Sequence, residues 1–195
     1  VGLTIYLKHV QFVAFYEKRR TDNIWRVLSI IATIFGVSAA CGQSLVGDFN
    51  ELDNPIMHYI AAFITFVLAM FYMYVSSGLS FIHPPLCSQP VAIVRVVLAC
   101  VCTVVLVFQT LTLKLHLFFP KGANLTSYRG DTEPVFLDAN SPFYLHHTIS
   151  TSCEWILALL IFAYYLTIVE EFRKSSLTLP VITINPEYVL HIEKR

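Results

Sequence analysis

Five polar side chains sit where this sequence is otherwise apolar, and they bound the chemistry it could perform. Only 15 residues separate Glu154 from Glu170, so the apolar run that ends there can cross a bilayer only with Glu154 inside it. A carboxylate at that depth costs about 3 kcal/mol on insertion scales, so it needs a partner or a use. His58 and Gln43 lie near the ends of two other apolar runs, and His146 and His147 open the run that holds Glu154. All five are expected on one side of the membrane. The predicted arrangement is a polar pocket, with Glu154 accepting from His58 or Gln43 and His147 at the mouth. The alternative is an interhelical hydrogen-bond cluster, in which such pairs contribute about 0.6 kcal/mol on average.

Other chemistries lack their motifs. The histidines have no His-x-x-x-His spacing and the cysteines no Cys-x-x-Cys spacing, so no metal site is predicted. No Gly-x-Ser-x-Gly elbow or glycine-rich phosphate loop occurs, and neither catalysis nor a cofactor is expected. Formal net charge is zero and no basic block exists, which argues against a nucleic-acid partner.

The elements that must carry these residues are membrane helices. The chain is 56% hydrophobic and only 13% charged, where a soluble domain carries nearer a quarter. Long runs without charge predict spans at 27–47, 57–80, 91–113 and 147–169. Pro84, Pro85 and Pro90 divide the middle pair. The 1–7 segment is apolar but too short to cross. It reads as the stub of a helix or an amphipathic stretch, and Lys8 follows it. The fold class is all-α, a polytopic membrane bundle in one domain over 1–195, with the lipid bilayer as its first partner.

Lys8, Lys18, Arg19, Arg20 and Arg26 fall in the 8–26 segment, while Asp48, Glu51 and Asp53 occupy the next connection without a base. By the positive-inside rule, 8–26, 81–90 and the 170–195 tail are cytosolic, and 48–56 and 114–146 are luminal or extracellular. Arg95 and His83 mark the inner connection. Asn124-Leu125-Thr126 then lies on the outer side as a candidate glycosylation site. Gly36, Ala40 and Ser44, with Ser38 and Gly42, supply small residues for close helix approach. The five cysteines read as packing residues, except that Cys87, beside the proline break, is a candidate for S-palmitoylation.

Several motifs resemble one family. Ser44-Leu45-Val46-Gly47-Asp48-Phe49-Asn50 is similar to the close of the third helix in Frag1/DRAM/Sfk1 proteins. His58-Tyr59-Ile60-Ala61-Ala62 with Thr65-Phe66-Val67-Leu68-Ala69 and Tyr72 resembles their fourth helix. Ser150-Thr151-Ser152-Cys153-Glu154-Trp155, Tyr165-Leu166-Thr167 and Glu171-Phe172 resemble their sixth. Gly2 to Lys8 is similar to the end of the second helix and its basic exit. The resemblance implies a six-helix protein of which this chain carries four spans and the end of a fifth. Ala61 and Ala69 stand where the family has glycine and Phe63 where it has a small residue, which predicts looser packing of the 57–80 span.

The resemblance also implies a function: a non-catalytic membrane regulator of autophagy in the lysosomal or endosomal membrane, with a lipid or a membrane protein as partner. Two relatives imply other roles. Frag1-like members act in the Golgi on remodelling of GPI-anchored proteins, and Sfk1/TMEM150-like members organise a phosphoinositide kinase at the plasma membrane.

Overall fold

The protein is described by a computed structural model that covers residues 1–19, 23–49, 51, 54–82, 87–122 and 141–175. Among the described residues six helices follow one another: α1 Gly2–Arg19, α2 Asn23–Asp48, α3 Pro55–Ile82, α4 Gln89–Leu115, α5 Tyr144–Leu166 and the single turn α6 Val169–Phe172. Among the described residues there is no strand. Four rods, α2, α3, α4 and α5 with α6, are long and apolar enough to cross a membrane. At 1.5 Å per residue, α3 with its 28 residues is about 42 Å long, more than the hydrocarbon thickness. The chain is a multi-pass helical membrane protein. Asn124 and the tail beyond residue 175 lie outside the described residues.

Two boundaries differ from expectation. The apolar stub does not stop at residue 7, because α1 continues through Lys8 to Arg19. Phe12 and Tyr16 supply the reason: they recur at helical spacing and bury against Leu79, with Phe15, Trp25 and Leu28 packed around them. At the other end, the predicted span to residue 169 breaks at Leu166. Thr167 and Ile168 donate to the carbonyls of Tyr164 and Tyr165, three residues back, at 3.1 Å each. This tightened turn separates α5 from α6.

Small residues set how α2 meets α3. The buried stripe of α2 is Ser29, Ala32, Gly36, Ala39 and Gly42, spaced by three or four. Of the predicted approach series, Gly36 and Gly42 belong to it, whereas Ala40 is half-buried and Ser44 exposed. A Cβ on Gly36 would stand 2.9 Å from both Ile5 Cδ1 and Tyr72 Cδ2. The expected loosening of the 57–80 span does not occur. Ala61 and Ala69 are buried on α3, and Phe63 points outward at 68% exposure. The close approach of α2 to α3 is made at Gly36, against Tyr72, and at Gly42, against Ile64 and Thr65.

The core centres on α3. Ala62, Phe66, Met70, Tyr72 and Met73 join Ile5 of α1, Ala32 of α2, Ala99 and Cys102 of α4, and Leu157 and Tyr164 of α5. Tyr72 stacks on Tyr165 at 5.8 Å and meets Tyr164 edge-on at 6.1 Å. The outer faces, such as Val97, Val101, Val104, Phe108 and Leu111 of α4, remain apolar and exposed, as lipid contact requires.

Candidate functional site

At the Glu154 end, the expected cluster forms only in part. Glu154 is half-buried, and its Oε1 accepts from Gln109 Nε2 on α4 at 3.2 Å. Neither His58 nor Gln43 is its hydrogen-bond partner. His58 Nδ1 lies 2.8 Å from the carbonyl oxygen of Phe49. A carbonyl only accepts, so the ring nitrogen donates and His58 closes the α2–α3 connection. Gln43 follows Gly42 by one residue, about 100° around the helix from the stripe that faces α3, and is exposed.

The same geometry sorts the histidine pair. The buried stripe of α5 is His146, Cys153, Leu157 and Tyr164. His146 is therefore the inward residue, edge-on to Phe119 at 4.5 Å. His147 turns outward to a shallow groove with Thr151, Ser152 and Trp155. Gln43 lines a different feature, an apolar groove of about 580 Å³ between α2 and α5, with Ala40, Cys41, Ala69, Phe162 and Tyr165.

Replacing Gln109 with leucine is expected to lower stability by about 0.6 kcal/mol, the mean for an interhelical pair in a membrane. Glu154→Gln, which keeps a hydrogen-bonding amide partner, is expected to cost no more. Unfolding midpoints in mixed micelles measure both.

The stronger constellation lies at the opposite end, where sequence reasoning saw only the edges of spans. Arg95 is fully buried on the α4 stripe that continues through Ala99, Cys102, Gln109 and Thr112. Its Nη1 donates to Glu171 Oε1, to Ser80 Oγ at 2.6 Å and to Cys87 Sγ at 3.3 Å. Its Nε donates to Thr167 Oγ1 at 2.8 Å, and its guanidinium carbon sits 5.9 Å from the Tyr164 ring centroid. Lys8 reaches the other oxygen of Glu171 at 3.3 Å. Gln11 Nε2 donates to the Glu171 carbonyl oxygen at 2.9 Å. Ser77 and Tyr164 extend the network to the Met73 carbonyl oxygen, at 2.6 and 3.0 Å.

The tightened turn after Leu166 places Glu171 in this cluster. It joins α1, α3, α4 and the end of the last rod through one carboxylate flanked by two cations. Burial lowers the Lys8 ammonium, just past the apolar stub, to about 8. Glu171 opposes that shift and Arg95 adds to it. Cys87 is 1% exposed inside the cluster, so its thiol is shielded from the acyl transfer that its sequence position suggested.

One signal could have found Arg95. It interrupts an otherwise uncharged run inside the predicted 91–113 span, and the cost applied to Glu154 applies equally there. Among the described residues, no group of three or more His, Cys, Asp or Glu could hold a metal ion. The described residues of the cluster form a buried clamp in which two cations share one carboxylate.

Comparison with known proteins now bears on this geometry. The Frag1/DRAM/Sfk1/Cwh43P N-terminal domain matches residues 1–175, which contain both polar clusters. DNA damage-regulated autophagy modulator protein 2 of Bos taurus is 28% identical over 176 residues, covering 89% of this chain and 62% of the relative. The Homo sapiens protein of that name is 27% identical over 177 residues, with the same coverage. Modulator of macroautophagy TMEM150B-A of Xenopus laevis is 23% identical over 151 residues, covering 77% and 53%. The chain thus spans less than two thirds of the length of these relatives. No solved structure matches it. With the family domain running from the first residue through Glu171 and the Arg95 clamp, the chain belongs to the Frag1/DRAM/Sfk1 family.

Proposed function

We propose that this chain is part of a lysosomal or endosomal membrane protein that regulates autophagy without catalysis, as a scaffold or lipid-binding bundle. The observation that carries this reading is its similarity over 89% of its length to proteins named autophagy modulators. The TMEM150B relative is also named a modulator of macroautophagy, so both branches point the same way. The polar side chains support the non-catalytic part, since Arg95, Glu171 and Glu154 bond to neighbouring helices. The apolar groove between α2 and α5 is the surface suited to a lipid tail or a partner helix.

The test is expression of the tagged, full-length protein in cells lacking it. The expected result is co-sedimentation with lysosomes and a rise in autophagic flux, read as marker turnover with and without lysosomal inhibition. Residence at the plasma membrane alone, with flux unchanged, would overturn the reading in favour of a kinase scaffold. Golgi residence with altered release of GPI-anchored proteins would favour lipid remodelling.

A further inference from the structure

The seam between α1 and the last rod is charged at its inner end and open further out. At the inner end the charges do not balance. Lys8 and Arg95 share the single carboxylate of Glu171, and Arg173 follows two residues on, exposed. Glu170 is matched by Lys174 at 3.3 Å, so the described residues of this cluster hold four cations against two carboxylates. Arg95 Nη2 has no hydrogen-bond partner although the side chain is fully buried. Hydrogen-bond donors remain as well. The Lys8 side chain is 12% exposed, and Glu171 takes two of its three N–H groups, at 3.3 and 3.5 Å. Ser175 Oγ accepts from Gln11 Nε2 at 2.6 Å, which leaves its own hydrogen to donate. Further along the seam, the groove of about 580 Å³ starts at Val1 and Gly2 on α1 and at Tyr165 on α5. Six residues separate Gly2 from Lys8, and six separate Tyr165 from Glu171, so the groove begins about 9 Å from the clamp at 1.5 Å per residue. Ala40, Ala69, Ala158, Ile161 and Phe162 make its walls apolar, and its volume lies in the range of ligand sites.

We propose that this seam binds one anionic phospholipid, with its phosphate held by Lys8, Ser175 and Arg173 and one acyl chain laid in the groove between α2 and α5. Charge and shape together select the occupant. A cation excess at the edge of a bilayer attracts acidic lipids, and the positive-inside rule puts this end of the bundle in the leaflet that carries them. A choline lipid brings a cation that cancels its phosphate, so it leaves the excess unanswered. Free phosphate answers the charge and leaves the groove unfilled. An apolar partner helix fills the groove and leaves the cations as they are. Only a molecule with an acidic head and an apolar tail satisfies both ends of the seam. The proposal deepens the lipid-binding reading of the groove and rests on it.

The experiment is native mass spectrometry of the full chain released from non-ionic micelles, with dioleoylphosphatidylglycerol, dioleoylphosphatidylcholine or inorganic phosphate added. The expected result is a discrete adduct of one phosphatidylglycerol, retained severalfold more than phosphatidylcholine. Arg173→Gln with Ser175→Ala, both at exposed positions, should lower that retention severalfold. Ala158→Phe, which fills the groove, should lower retention of both lipids. Equal retention of the two lipids by the unaltered protein would overturn the anionic site while keeping a lipid in the groove. Retention of neither would overturn the lipid-binding reading as well. Thermal midpoints in the same micelles give a second readout. Phosphatidylglycerol should raise the midpoint of the unaltered protein and have less effect on the Arg173→Gln/Ser175→Ala variant. An equal rise in both, or an equal rise with inorganic phosphate alone, would overturn the proposal.

Discussion

Glu171→Gln is expected to lower the stability of the bundle by about 3–5 kcal/mol, the range for removing one partner of a buried ion pair. Glutamine keeps the shape and can still accept from Arg95, so the loss isolates charge. Two cations, Arg95 and Lys8, would then share a buried site without a carboxylate. Arg95 cannot shed its proton, and with its side chain fully buried it cannot reach water without displacing helices. Lys8 is less constrained, because its ammonium already sits near 8. Loss of its proton relieves part of the strain, which places the expected effect toward the lower end of the range as pH rises above 8. The matching rescue is Lys8→Met with Arg95→Met and Glu171→Met, where apolar side chains of similar length replace all three charges. That triple variant is expected to recover most of the loss, since buried ion pairs and triads exchanged for well-packed apolar residues are often neutral. Unfolding midpoints at pH 7 and pH 9 measure all three states. An unchanged midpoint for Glu171→Gln would show that the clamp does not hold the end of the last rod.

The spans and the family were legible in the sequence because each depends on composition and local motif. Stretches without charge must be helices in lipid, since only hydrogen bonds within the segment satisfy the backbone there. The site was less legible because it depends on helix rotation. Gln43 and His147 each sit one residue from a buried neighbour, Gly42 and His146, and one residue is about 100° of turn. Depth along the membrane was readable from position, while facing needed the buried stripe, which small residues on α2 and mixed residues on α5 did not announce. Arg95 and Glu171 were hidden for another reason. Their separation of 76 residues carries no periodic trace, and a charge near a span end is ordinarily taken as its boundary. The departure from α5 at Leu166, which lets Glu171 turn inward, follows from hydrogen bonds three residues back that no sequence period marks.

Gly42→Val is expected to cost about 1–3 kcal/mol, the usual penalty for overpacking. A Cβ at Gly42 would stand 2.7 Å from Thr65 Oγ1 and 3.1 Å from the Thr65 backbone nitrogen. The hydroxyl cannot swing away cheaply, because it donates to the Ala61 carbonyl oxygen at 2.8 Å and belongs to a stiff β-branched side chain. The backbone nitrogen cannot move without shifting α3 itself. The helices must therefore separate, which opens contacts along the whole stripe that Gly36, Ala39 and Ala32 share with α3. The control is Gly47→Val, at the end of the same helix, where a Cβ meets nothing within 4 Å. Its midpoint should stay within about 0.5 kcal/mol of the unaltered protein, as for surface positions. Equal losses at both glycines would mean that valine acts through the general properties of α2. A loss confined to Gly42 places the cost in the α2–α3 contact, where Gly42 lies against Ile64 and Thr65.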